Sequence, residues 1–280
     1  MLDRVLFQIS CVAFAALLSP ASLHAQACGD PQTPCTIEGG SYHVIYPEVP
    51  EPLGIVMHLH GGGSTGASAL KSGLAGEAHS RGYIFAAPNG EHPEARWTKD
   101  WSVRADNMEF ERDDAEFLAR VLTDIRSNTD LSEAPVLLSG FSRGGSMVWN
   151  MACWQPEFAD AYAPLAGAFW ERLPTRCMQP VYLFHTHGWT DRVVPLEGRS
   201  FFDDTVVQGD VWASLKVLRE INGCGKRQPE TSTFDGELWL RHWTDCDAGR
   251  IDLMLHKGGH SAPEGWGPRM LDWFEELELR

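Results

Sequence analysis

Short apolar runs bounded by Gly, Pro, Asn or Asp recur along the chain at 41–46, 55–60, 83–88, 161–167, 181–185, 237–241 and 251–255, which predicts strands. Another run begins at Val136 and breaks at Gly140, and a helix-like segment through Trp149, Met151 and Ala152 follows it. Phe117, Leu118, Val121, Leu122 and Ile125 repeat at helical spacing behind Asp113 and Asp114, whose charges suit a helix start. Further helices are predicted at 209–221 and 268–278. Strands alternating with helices give an α/β chain: a mostly parallel central sheet with helices on both faces. Residues 91–111 lack a period and predict a long surface loop near the functional site.

Length and charge narrow the picture. The chain has 280 residues, 43% of them hydrophobic and 22% charged, which fits one large globular domain. A net charge of −15 with no cluster of Lys or Arg argues against nucleic acid and anionic membranes as partners. At the N-terminus an apolar stretch at 5–18 follows Arg4 and precedes Pro20 and the small-residue site Ala25-Gln-Ala27. At 1.5 Å per residue that stretch reaches only about 21 Å, short of the roughly 30 Å hydrocarbon core. It reads as a signal peptide, 1–27, ahead of a mature domain, 28–280, in a secreted or periplasmic protein without a membrane span, expected to be a monomer. The mature segment has six cysteines, an even number that suits disulfides. Neighbours along the chain pair as Cys28–Cys35, Cys153–Cys177 and Cys224–Cys246.

Gly140-Phe-Ser142-Arg-Gly144, between a strand and a helix, matches the G-x-S-x-G nucleophile elbow. Ser142 is the candidate nucleophile, and the Arg143 N–H at the helix start is a candidate oxyanion donor. His60-Gly61-Gly62-Gly63 at the end of an earlier strand resembles an oxyanion loop, with Gly62 as the second donor and His60 as an orienting or substrate-contacting residue. Asp191, just past the strand at 181–185, stands where a triad acid belongs, although a turn-forming aspartate has the same position. His260, in a glycine-flanked loop after the last strand, is the candidate base, with His256 as its competitor. No His, Cys or carboxylate spacing suggests a metal, and the chemistry needs no cofactor.

Taken together, Leu59-His-Gly-Gly-Gly63, Ala87-Pro-Asn-Gly90, Gly140-Phe-Ser-Arg-Gly-Gly145, Pro164-Leu-Ala-Gly167, Asp191-Arg-Val-Val-Pro195, Asn222-Gly-Cys224 and Gly258-Gly-His260 carry a resemblance. Over roughly 58–267 the chain resembles the secreted poly(3-hydroxybutyrate) depolymerase and feruloyl esterase-like branch of the α/β-hydrolase superfamily. The resemblance implies a single α/β-hydrolase domain, a Ser142, Asp191, His260 triad, and pairing of Cys153–Cys177 and Cys224–Cys246. The implied activity is serine esterase action on hydroxyalkanoate oligomers or polyesters, or on feruloyl-type aryl esters. A peptidase of the same fold and a non-catalytic binding protein are the alternatives. Three departures adjoin the expected pocket: Arg143 after the serine, Trp189 before the acid, and a tail after His260 without a Trp-Pro pair. Arg143 suggests a substrate bearing an acid group. Trp101, Trp189 and Trp266, with Trp97 and Trp170, are expected as an aromatic substrate surface.

Overall fold

A computed structural model describes residues 28–93, 98–105, 107–129, 131–201 and 206–277. The predicted signal peptide and Trp97 lie outside these residues. The chain runs through β1 (Cys35–Ile37), β2 (Gly40–Ile45), β3 (Gly54–Leu59), α1 (Gly66–Ala69), α2 (Gly73–Ser80) and β4 (Tyr83–Pro88). Then come α3 (Asp114–Ser127), β5 (Val136–Phe141), α4 (Arg143–Trp154), β6 (Ala161–Leu165) and β7 (Tyr182–Gly188). β8 (Arg199–Phe201), β9 (Val206–Gln208), α5 (Val211–Ile221), β10 (Thr231–Asp235), β11 (Leu238–Trp243), β12 (Arg250–His256) and α6 (Trp266–Glu275) complete it.

Ten strands form one sheet in the order β1-β2-β4-β3-β5-β6-β7-β12-β11-β10, and β8 pairs with β9 apart from it. From β4 to β12 every neighbouring pair is parallel, while β1, β2, β11 and β10 add antiparallel edges. The parallel strands β3, β4 and β6 are buried at every residue, which is why they read as apolar runs rather than alternating ones. The period of two still divides the core between the faces of the sheet. Ile55, Met57 and Leu138 pack with α3, α4 and α5, through Phe117, Trp149 and Leu215. Val56 and Leu137 pack on the other face with α2 and α6, through Leu74, Leu271 and Phe274.

Local chemistry sets the helix starts. Asp113 caps α3 by accepting from the Ala115 and Glu116 N–H groups, and Asp210 caps α5 by accepting from Ala213. Asp114 is instead fully buried, accepting from Arg112 and from the Ser102 N–H. α6 begins at Trp266, two residues earlier than predicted, because Pro268 is tolerated in a first helical turn. β7 continues to Gly188 through His185, Thr186 and His187, polar residues that are wholly buried and hide the strand from an apolar pattern. β10 is the opposite case, an edge strand exposed at all of its residues.

The loop expected over 91–111 lies partly inside the protein rather than on its surface. An isolated bridge joins Glu91 to Asp100, and Asp100, Trp101 and Val103 are buried. The three predicted disulfides are formed: Cys28–Cys35, Cys153–Cys177 and Cys224–Cys246. Among the described residues no helix is long and apolar enough to cross a membrane.

Candidate active site

Ser142 stands between β5 and α4 at φ 55°, ψ −117°, a conformation sparsely populated by residues with a side chain. Its N–H donates to the Leu165 carbonyl of β6 at 2.9 Å, and its own carbonyl accepts from Ser146 at 2.8 Å. The elbow glycines are required by backbone contact. A Cβ on Gly140 would lie 2.5 Å from the Gly144 oxygen, and one on Gly144 would lie 2.2 Å from the Leu59 oxygen of β3. Only without those carbons can the first turn of α4 press against β3 and β5 and hold the serine outward.

The structure brings Ser142, Asp191 and His260 together from the C-terminal ends of β5, β7 and β12. His260 Nε2 lies 2.8 Å from Ser142 Oγ, and His260 Nδ1 lies 2.7 Å from Asp191 Oδ2. The other carboxylate oxygen, Oδ1, accepts from the Val193 and Val194 N–H groups at 2.8 and 2.9 Å. Burial disfavours charge on Asp191, but the hydrogen bonds from His260, Val194 and Val193 outweigh it and hold the carboxyl below its ordinary range. His256, the competing base, is buried at its strand end, where Nδ1 accepts from the Gly258 N–H.

Several contacts at this site have no motif in the sequence. Gly188 lets the acid and histidine loops meet, since a Cβ there would lie 2.0 Å from the Gly259 oxygen. The meeting is sealed by the Trp189 N–H to the His256 carbonyl at 2.7 Å and the Thr190 N–H to Gly258 at 3.1 Å. Phe141 packs on the His260 imidazole with ring centroids 4.8 Å apart. Behind Asp191, His187 donates from Nε2 to the Val194 carbonyl at 2.7 Å and lies 3.5 Å from Asp191 Oδ2. His187 Nδ1 meets His185 Nε2 at 3.0 Å, and burial keeps both imidazoles neutral. A doublet of histidines in a strand was the available signal, but it could not indicate which side chain they face.

The glycine loop sits against the elbow. A Cβ on Gly61 would lie 3.5 Å from Ser142 Cβ, and one on Gly62 would lie 3.0 Å from Arg143 Cγ. The Gly63 N–H is committed to the Lys99 carbonyl at 2.8 Å, so the candidate donors for the site are earlier in the loop. His60 orients this loop from beneath. Its Nδ1 donates to the Gly61 carbonyl at 2.8 Å, and its Nε2 accepts from the Gly90 N–H at 2.9 Å. Burial lowers its pKa to about 4, so it is neutral at pH 7.

Four sequence expectations need correction. His60 is buried with both nitrogens bonded, so it supports the loop and does not touch substrate. Trp101 is 0% exposed and donates from Nε1 to the His60 carbonyl, which makes it a strut under the loop. Trp266 is 6% exposed, its Nε1 bonded to Thr186 Oγ1 at the start of α6. Indole is large and mostly apolar, so it fills the core wherever its N–H finds an acceptor. Arg143, fourth, is no open cation for an acidic substrate. Its Nε donates to Asp100 Oδ1 at 2.6 Å, its Nη2 to the Trp101 carbonyl at 2.7 Å, and its guanidinium lies over the buried Trp170 ring. Trp189 alone of the described tryptophans in that expected surface is strongly exposed, at 58%. Among the described residues no cluster of three or more His, Cys, Asp or Glu side chains could hold a metal ion.

A central parallel sheet flanked by helices, with an elbow serine, an acid and a histidine at the ends of β5, β7 and β12, is an α/β-hydrolase fold. Comparison with solved structures agrees: an acetyl xylan esterase from Aspergillus awamori superposes with a TM-score of 0.63 at 15% identity, covering 88% of this chain and 96% of that one. A carboxylesterase of Bacillus cereus superposes at 0.58 with 12% identity, covering 85% and 95% of the two chains. By sequence, the chain is 24% identical to a feruloyl esterase C of Emericella nidulans over 91% of each protein. It is 22% identical to a bifunctional acetylxylan esterase/xylanase of Neocallimastix patriciarum over 66% of this chain and 25% of that protein. No family model matches the chain.

Proposed function

We propose that this α/β-hydrolase is an exported carboxylic ester hydrolase that cleaves feruloyl or acetyl esters carried by plant polysaccharides. The observation that carries the reading is the unbroken hydrogen-bonded line from Ser142 Oγ through His260 to Asp191. In this mechanism the Ser142 hydroxyl gives its proton to His260 Nε2 as Oγ attacks the ester carbonyl carbon. Asp191 accepts from Nδ1–H, fixes the tautomer and stabilises the imidazolium. The N–H groups of Gly62 and Arg143 receive the oxyanion. Collapse breaks the bond to the alcohol, which leaves with the proton from His260, and water then resolves the acyl-serine by the same route.

The fold supports an ester hydrolase, and the names of the similar proteins support the acyl groups and the polysaccharide. Export follows the same proposal: residues 1–27 as a signal peptide, 28–280 as the catalytic domain, with the three disulfides in support. The test compares wild-type and Ser142→Ala protein on p-nitrophenyl acetate, methyl ferulate, acetylated xylan, feruloylated arabinoxylan and 3-hydroxybutyrate oligomers. Turnover of the plant esters by the wild type alone is expected. A preference for hydroxybutyrate oligomers, or equal turnover by the serine variant, would overturn it.

A further inference from the structure

Beside the candidate active site lies an aromatic surface that the triad does not use. β10 and β11 extend the sheet beyond β12, and Phe234 pairs across the hairpin with Trp239. Their rings are close to parallel, 10° apart, with centroids separated by 6.2 Å. On the other side of Trp239, 6.3 Å away, stands Trp189, two residues before Asp191. Phe234 is 77% exposed and Trp189 58% exposed. Two strongly exposed rings flanking a half-buried one at the rim of a site mark a contact surface.

The central ring is also held in place. Trp239 donates from Nε1 to Ser232 Oγ at 2.9 Å, and the Arg241 guanidinium lies 5.0 Å from its ring centroid. Trp189 is fixed through its backbone to His256. A ring whose orientation is set before binding loses little freedom when a ligand stacks on it. Of the nearby charges, Glu237 in the hairpin turn pairs with Lys257, and the Arg241 guanidinium donates to Gln228 and stacks on Trp239 and Trp243. The ligand is therefore selected by flat apolar faces and hydrogen-bonding groups, the latter beside Ser232, which shares this side of the strand with Phe234. A neutral sugar chain offers both: C–H faces for the rings and hydroxyls for the rim.

We propose that Trp189, Trp239 and Phe234 form a docking platform for a neutral polysaccharide chain, on which an ester-bearing backbone lies while its acyl group reaches Ser142. The proposal rests on the reading of the protein as a polysaccharide esterase. It is tested by retention of the full-length protein on insoluble arabinoxylan stripped of its esters, for wild type, Phe234→Ala, Trp239→Ala and the double variant. Thermal midpoints check that each variant is folded, and Phe234 is exposed enough that its removal leaves the core intact. Wild type is expected to be retained, retention to fall at least 5-fold in the double variant, and KM on acetylated xylan to rise by a similar factor.

Equal retention of wild type and double variant would overturn the platform. So would preferential retention on poly(3-hydroxybutyrate) film, or a wild-type dimer in sedimentation equilibrium that the double variant converts to monomer. Because the stripped polymer carries no ester, retention does not depend on catalysis. Wild-type hydrolysis of p-nitrophenyl acetate without retention sinks the platform alone. Retention without hydrolysis of any ester sinks the esterase reading and leaves the platform.

Discussion

Replacing Asp100 with Asn removes the countercharge that holds Arg143 at the start of the nucleophile helix. Both side chains are sheltered, with 13% of Arg143 and 2% of Asp100 exposed. For charge centres about 4 Å apart at an effective dielectric near 20, the attraction is ~4 kcal/mol. Breaking one partner of a buried pair typically costs about 3 to 5 kcal/mol, because the survivor stays desolvated. Asp100→Asn is accordingly expected to lose about 3 kcal/mol, which for a chain of this size lowers the melting midpoint by roughly 6 to 12 °C. Arg143→Gln should lose a similar amount, and the double variant clearly less than the sum, with a coupling of about 1.5 kcal/mol or more. Urea unfolding of the four proteins measures this cycle. Both single variants should also lose about 10-fold in kcat/KM, equally on neutral and acidic esters, because the Arg143 side chain shapes the loop and does not reach the substrate. Additive stability losses, or a loss confined to acidic esters, would refute the structural role given to this pair.

Four other outcomes follow from the geometry. Ser142→Gly should abolish hydrolysis yet melt a few degrees above Ser142→Ala, since glycine accepts a positive φ and relieves about 1 kcal/mol or more of backbone strain; calorimetry of the two inactive proteins decides it. His260→Ala should cost on the order of 10^4-fold or more in kcat, and Asp191→Asn a comparable factor, in single-turnover assays on methyl ferulate. His58 and His60 are held neutral by burial, each lowered from 6.5 to about 4. Unfolded chains take up those protons first, so stability is full above pH 6.5 and falls by up to about 3 kcal/mol per histidine on acidification to pH 4. A urea midpoint constant from pH 7 to 4.5 would contradict this. Gly144→Ala drives a methyl into the Leu59 carbonyl and should yield insoluble or inactive protein, scored by soluble expression.

The sheet was legible because its central strands are buried on both faces, so 55–60, 83–88 and 251–255 had to be apolar. The positions of Ser142, Asp191 and His260 were legible for a different reason: each needs small residues or turn formers at a strand end, and these leave a local spelling. Long-range supports left none. Asp100 and Arg143 are 43 residues apart in sequence, and neither marks the other. Tryptophan content also misled, because Trp101 and Trp266 are polar only at one atom, and that atom is satisfied inside the protein. The β10–β11 hairpin was half-read: a strand was predicted around 237–241, but the Thr-Ser-Thr sequence of β10 carries no apolar alternation.

Each of the two longer disulfide loops staples a segment that carries part of the site. Cys153 ends the helix that Ser142 begins, and Cys177 precedes the strand leading to Asp191. Cys224 follows α5, and Cys246 precedes the strand leading to His260. Closing loops of 24 and 22 residues restricts the unfolded chain by about 3 kcal/mol each. Together that rivals the whole net stability of an ordinary domain, about 5 to 15 kcal/mol. Redox environment thereby acts as a spatial permit. Oxidation of both pairs favours the register in which Ser142, Asp191 and His260 meet.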